Sequence, residues 1–356
     1  MDDVIRNLTR AIEEMAADLP PVRLMEVCGT HTHAIARFGI RQILPPQITL
    51  VSGPGCPVCV THESDIAAAL YLAERENTVL CCYGDMMRVP CRGRSLYSLK
   101  AEGGDVRTVL SPLDVLRFAR EEPQKEFVFF AVGFETTAPN TAALLEQTVQ
   151  KKISDVSVLC AHKTMPAALR ALLEGSRVNG LLCPGHVAAI TGSAAFDFLP
   201  RELGIPAAVA GFEAADILAA VYRLCAMIRA GKAECINMYP RAVKEQGNGA
   251  ARELVSAFFT PCDALWRGLG AIPQSGLALR EEYKEYDARY RFDVPPFGKE
   301  TENTCLCGTV LQGKIEPRQC PHFGRDCTPA SPLGPCMVSS EGSCAAQYLY
   351  GPQSRE

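Results

Sequence analysis

The sequence has no block of Lys or Arg, and no apolar run of the roughly 18 residues that a membrane helix needs. It has no GxGxxG or GxxxxGKS/T glycine loop, and no second CxxC to accompany its single one. Each absence removes a class of protein. With 36 basic against 40 acidic residues and a formal charge of −4, neither nucleic acid nor an anionic membrane is expected as a main partner. Without a phosphate-cradling loop, no nucleotide motif can be claimed. The first residues, MDDVIRNLTRAIEEMAADLPP, carry acids at once and lack a signal-peptide core. Their apolar spacing (Val4, Ile5, Leu8, Ile12, Met15) is that of an amphipathic helix, and a cytoplasmic location is expected.

What the sequence does have is sulfur. Of 356 residues 17 are cysteine, in a chain that is otherwise ordinary for a globular protein at 47% hydrophobic and 21% charged. In a reducing compartment such thiols serve as ligands, redox groups or small core residues more often than as structural disulfides. The length suits two or three structural units.

Short apolar runs alternate with helical stretches: 22–27, 48–52, 78–82 and 106–110, then again 127–133, 156–162, 180–185 and 206–211. Runs that are continuously apolar, with helices of 10–15 residues between them, indicate parallel sheets covered on both faces. The expected fold is α/β: two successive parallel-sheet units, 1–121 and 122–230, followed by a small cysteine-rich domain, 231–356. The segment RELVSAFFTPCDALWRGLG reads as a last helix before that tail. In parallel α/β folds ligands bind at the carboxyl ends of strands. There this chain places CGTHTH, GPGCPVC, YGDMMRVP, GFETTAPN, AHKTMP and PGHV, and two such edges facing each other would make a cleft.

Cys28 ends an apolar strand, with Gly29 for a tight turn and Thr30 or Thr32 able to cap the next helix. A thiol at a helix amino terminus has its thiolate stabilised by the dipole and the free amides. An inert buried cysteine is the alternative. Of His31 and His33, two apart on a helix, at most one faces that thiol. Cys56 and Cys59, in SGPGCPVCVTH, read as a redox pair or a metal half-site; dithiol chemistry near Cys28 is the better fit, since no second CxxC completes a zinc site. His162 and His186 suit hydrogen-bonded loop positions. In GFETTAPN, Thr137 and Pro139 start a helix, while the acid and hydroxyls could bind a ligand. Cys81, Cys82, Cys91, Cys160, Cys183, Cys225, Cys235 and Cys262 read mostly as small apolar residues. In the tail, six cysteines fall between Cys305 and Cys344 at spacings too irregular for zinc-finger repeats. Four thiolates would suit an iron–sulfur centre and leave two for a dithiol, with a structural zinc site as the alternative.

Taken together, CGTHTHAIARFGIR, SGPGCPVCVT, YGDMMRVP, GFETTAPNTA, LLCPGHVAAITG and QCPHFGRDCTPASPLGPCMVSSEGSCAAQY resemble the HypD family of hydrogenase maturation factors, from about residue 20 to about 350. The resemblance implies assembly of the Fe(CN)2CO unit of nickel–iron hydrogenases, on a scaffold shared with a small HypC-type chaperone and supplied by a HypE-type cyanide donor. It implies Cys28 as the iron ligand, Cys56 and Cys59 as the neighbouring thiol pair, and a [4Fe–4S] cluster on Cys305, Cys320, Cys327 and Cys344. Cys307 and Cys336 would form a dithiol beside that cluster, as in ferredoxin–thioredoxin reductases; a set with Cys336 in place of Cys305 stays open. Two other readings stand beside it: a self-contained thiol–disulfide oxidoreductase fed by an iron–sulfur cluster, and a zinc-stapled α/β binding protein.

Overall fold

The computed structural model of the chain describes residues 2–298 and 304–351. All eight expected strands form: β1 (Val22–Glu26), β2 (Ile48–Ser52), β3 (Thr78–Cys82), β4 (Val106–Thr108), β5 (Glu126–Ala131), β6 (Val156–Cys160), β7 (Gly180–Pro184) and β8 (Ala207–Ala210). A short ninth, β9 (Cys235–Asn237), was not expected. Every pairing among the nine is parallel. Apart from the short edge strands β4 and β9, the strands are buried along almost their whole length, as sheets with both faces covered require.

The two sheets are not successive in the chain. One has the order β2-β1-β7-β8-β9 and the other β4-β3-β5-β6. Accordingly, one compact unit is built from residues 1–59, 168–249 and 305–356, and the other from 60–167 and 250–304. The boundaries read at 121/122 and 230/231 therefore fall inside units. Apolar periodicity identifies strands but carries no information on which strands pair, so chain order was the only guide. The cysteine-rich tail is likewise not a body of its own. Its helix Ser343–Tyr350 packs on the helix Gly29–Arg37, which supplies the core that the tail lacks.

The first unit centres on Ile12, Leu24, Ile35, Leu182 and Leu224, all withdrawn from water, with the helix Asp2–Ala16 laid on the helix Ala214–Arg229. The second centres on Phe127, Phe129, Leu144 and Val158. Each such side chain contributes roughly 1.5–3 kcal/mol. The helix expected over RELVSAFFTPCDALWRGLG stops at Phe258. From there β10 (Phe259–Trp266) and β11 (Gly270–Leu279) form an antiparallel hairpin with a bulge at Cys262/Ala264. Burial alternates along β10, and Trp266 anchors it by donating from Nε1 to Ser275 Oγ at 2.8 Å. Among the described residues no helix is long and apolar enough to cross a membrane.

Candidate functional site

Strand pairing brings the first two cysteine motifs together. β1 and β2 run side by side with Glu26 opposite Ser52, so the loops that follow them leave the sheet at the same height. They interlock: Gly53 N–H donates to Glu26 O at 2.7 Å, and Gly29 N–H to Gly55 O at 2.9 Å. Gly55 lies so close to Cys28 that a Cβ there would overlap the Cys28 main-chain nitrogen. This is the physical reason for glycine at that position. Gly55→Ala should cost about 1–3 kcal/mol, read as a lower denaturant midpoint, and should displace Cys28. The next residues, Cys56 and Cys59, are joined as a disulfide, with Cα atoms 5.2 Å apart, across the short helix Pro57–Val60.

Cys28 is the N-cap residue of the helix Gly29–Arg37 and is almost fully buried. The threonines do not cap that helix. Thr32 Oγ1 donates to Glu26 Oε1 at 2.6 Å, and Thr30 Oγ1 to Glu341 Oε1 at 2.9 Å. Nor does the helix terminus outweigh burial at the thiol. Burial pushes Cys28 up to about 12; the Glu341 and Glu26 carboxylates add to this, and the main-chain N–H groups of His31 and Thr30 only partly oppose it. The thiol is thus protonated near neutral pH.

Glu26, which sequence reasoning passed over as one letter at the end of a strand, is fully buried. Its Oε2 accepts Cys28 N–H at 3.2 Å; Ser52 also bonds it, and Ser52 Oγ in turn accepts from Arg41 Nη2 at 3.1 Å. Burial raises its carboxyl to about 7 in spite of those partners. Glu341 was the other omission, a residue between two tail cysteines whose value lies in what it touches. Its side chain packs on Gly29 and fastens the tail to the Cys28 loop.

His31 does not turn its ring to Cys28. Its Nε2–H donates to Gly211 O at 2.9 Å, its ring lies 4.8 Å from that of Phe212, and His186 packs on the same phenyl ring. Burial lowers it to about 4, so it is neutral, and among the described residues no partner bonds its buried Nδ1. His33 Nδ1 meets Ser340 O at 3.3 Å, and its ring meets Tyr350 edge-on.

In the tail, Cys305, Cys307, Cys320, Cys327 and Cys344 line one small hollow whose other walls include Leu306, Val310, Leu333 and Met337. Cys336 is buried beside it without lining it, and its carbonyl lies against Gly342. Burial raises Cys344 well above the ordinary thiol range, and the neighbouring Cys307, Cys305, Cys327 and Cys320 add to this. Cys327 is raised by burial too, although its sulfur accepts Leu333 N–H at 3.4 Å. As the side chains stand, no three His, Cys, Asp or Glu among the described residues could hold a single metal ion.

In the second unit Thr137 and Pro139 do start the helix Ala138–Gln150. His162 is a bonded core residue, between Gly133 O and Thr141 Oγ1. Glu135 Oε1 accepts Met165 N–H at 2.9 Å while no partner among the described residues bonds its buried Oε2, and burial raises the carboxyl to about 7. The folded state therefore keeps a proton that the unfolded chain loses above about 4.5, and stability falls as pH rises from there towards 7. Glu135→Gln should remove that slope, on the order of 1–3 kcal/mol between pH 5 and pH 8, in denaturation measured at both. Cys81, Cys82, Cys183 and Cys225 are fully buried fillers, as expected.

These features define a two-sheet parallel α/β protein whose strand-end loops gather cysteines, one of them at a helix start and two as a vicinal pair. A family model described as HypD, the hydrogenase formation hypA family, matches residues 3–351. The hydrogenase maturation factor HypD2 of Bradyrhizobium diazoefficiens is 43% identical over 98% of this chain and 94% of its own. The hydrogenase maturation factor HypD of Azotobacter vinelandii is 43% identical over the same shares, and that of Rhodobacter capsulatus 40% identical over the same shares. The chain belongs to the HypD family of hydrogenase maturation factors.

Proposed function

We propose that this maturation factor is the scaffold on which the Fe(CN)2CO unit of a nickel–iron hydrogenase is assembled, with a HypC-type chaperone and a HypE-type cyanide donor as partners. The iron fragment is the substrate, and Cys28 holds it as a thiolate. One observation carries the reading: Glu341, in the cysteine-rich tail, is bonded to Thr30, two residues from Cys28, while Gly55, next to the Cys56–Cys59 pair, packs on Cys28 itself. Three sulfur-bearing segments thus meet at the loop that carries Cys28.

In this reading Cys305, Cys320, Cys327 and Cys344 hold a [4Fe–4S] cluster. Support comes from the donor set: thiols gathered around an apolar hollow, with a main-chain N–H already bonded to one sulfur. When bound, such a cluster supplies single electrons. Cys307 and Cys336 would be the dithiol beside it. The protein's own contribution is to bury Cys28, to fix its main chain through Glu26, and to exclude water from a thiolate–iron bond.

Infrared spectroscopy of the anaerobically isolated complex with the chaperone tests this. Cyanide and carbonyl stretching bands are the expected result. If the bands are absent while the protein reduces disulfides, the reading of a self-contained oxidoreductase replaces it, which the Cys56–Cys59 disulfide favours.

A further inference from the structure

The unit that carries Cys28 has a second concavity, along β2 at the edge of its sheet. Thr49 to Ser52 form the floor, and residues 310–319 with Ser343 close it from the other side, around roughly 1040 Å³ of space open to solvent. Three cations, Arg23, Arg41 and Lys314, line it against one carboxylate, Glu316. That carboxylate is engaged in a capping box with the main chain of Gln319. Among the described residues no carboxylate forms an ion pair with any of the three cations.

Arg41 is the informative one. It is part-buried, and among the described residues its guanidinium bonds neutral oxygens, Leu50 O from Nε at 3.2 Å and Ser52 Oγ from Nη2 at 3.1 Å. Those bonds use two of its five N–H donors. Burial works against its charge, with Glu26 and Glu316 as the carboxylates that offset the loss. A guanidinium taken out of water is stable when an anion faces it, and its planar fork matches the oxygens of a carboxylate or phosphate. Arg23 spends one nitrogen on Gly313 O, and Lys314 is exposed at the rim.

We propose that this concavity is a binding site for a small oxyanion, a carboxylate or a phosphate, held by Arg41 and Arg23 with Lys314 at the entrance. The site does not depend on the role given to Cys28. Its inner wall does lead there, since Ser52 joins Arg41 to Glu26, which holds the Cys28 main chain.

Calorimetric titration of the full chain with inorganic phosphate, and separately with formate, tests the proposal at low salt. Saturable binding of at least one probe, weakening as salt is added, is expected; which probe binds identifies the ligand chemistry. Lys314→Gln should weaken binding about tenfold and Arg41→Met should weaken it more, the loss of a charged hydrogen bond in each case. The melting temperature of Lys314→Gln should equal that of the parent, so the test stands even if Arg41→Met fails to fold. No heat with either probe, or an affinity unchanged in both Lys314→Gln and Arg23→Gln, overturns the proposal.

Discussion

Cys28→Ala should abolish the cyanide and carbonyl infrared bands expected of the complex and should leave the broad visible absorption of the proposed tail cluster in place. The effect is expected to be complete, at least a hundredfold in bound iron fragment. The reason lies in which sulfur is available. Cys56 and Cys59 are bonded to each other and present no thiolate in that state. Cys28 is free, buried, and bordered by main-chain N–H groups that would stabilise its anion once a metal cation offsets the burial that now holds it up to about 12. Loading must release that proton, so uptake of the fragment should also become easier with rising pH. Cys28→Ser keeps the volume and should fail equally, because a hydroxyl does not replace a thiolate as donor to iron. Retention of the bands in either variant would remove Cys28 as the ligand.

If the tail holds the proposed cluster, Cys344→Ala should strip it of iron and sulfide and lower stability by on the order of 3 kcal/mol or more, since a short segment with little core of its own would depend on such a staple. Cys344 is buried at the start of the helix Ser343–Tyr350, the element that packs on Gly29–Arg37. Losing the proposed cluster should therefore loosen Glu341 and, through Thr30, the Cys28 loop. Two readouts move together: iron content per chain, and the thermal transition of the anaerobically purified protein. Cys225→Ala is the control, a buried thiol in a purely apolar cluster, expected to keep full iron content. A Cys344→Ala protein with undiminished iron would show that another thiol, Cys307 or Cys336, completes the set.

The eight main strands were legible because a doubly covered parallel strand must be apolar throughout, and TVLCC or FVFFA can hardly be anything else. The cysteine loops were legible because glycine and proline punctuate strand ends. Three things were not. The sharing of strands between sheets depends on tertiary pairing, of which Leu24 opposite Gly180 leaves no local trace. The β10–β11 hairpin hid behind helix-compatible residues, and alternation over FTPCDALW is weak without the partner strand. Glu26, Glu341 and Arg41 act through what lies beside them in space. The height of the Cys28 thiol on the pH scale was misjudged for a related reason: a helix start argues for a thiolate, and only the packed structure reveals that burial and two carboxylates outweigh it.

The interleaving of strands bears on how the chain is made. β3 to β6 lie within one stretch, 78–160, and can associate as they leave the ribosome. β1 and β2 emerge earlier and can pair with each other, but their sheet waits for β7, and the Cys28 loop waits longer still, for Glu341. Contacts so far apart in sequence form late. If Cys28 holds the iron fragment as proposed, its site is complete only once the segment around Glu341 has been made, and a chain cut before Glu341 should load no iron.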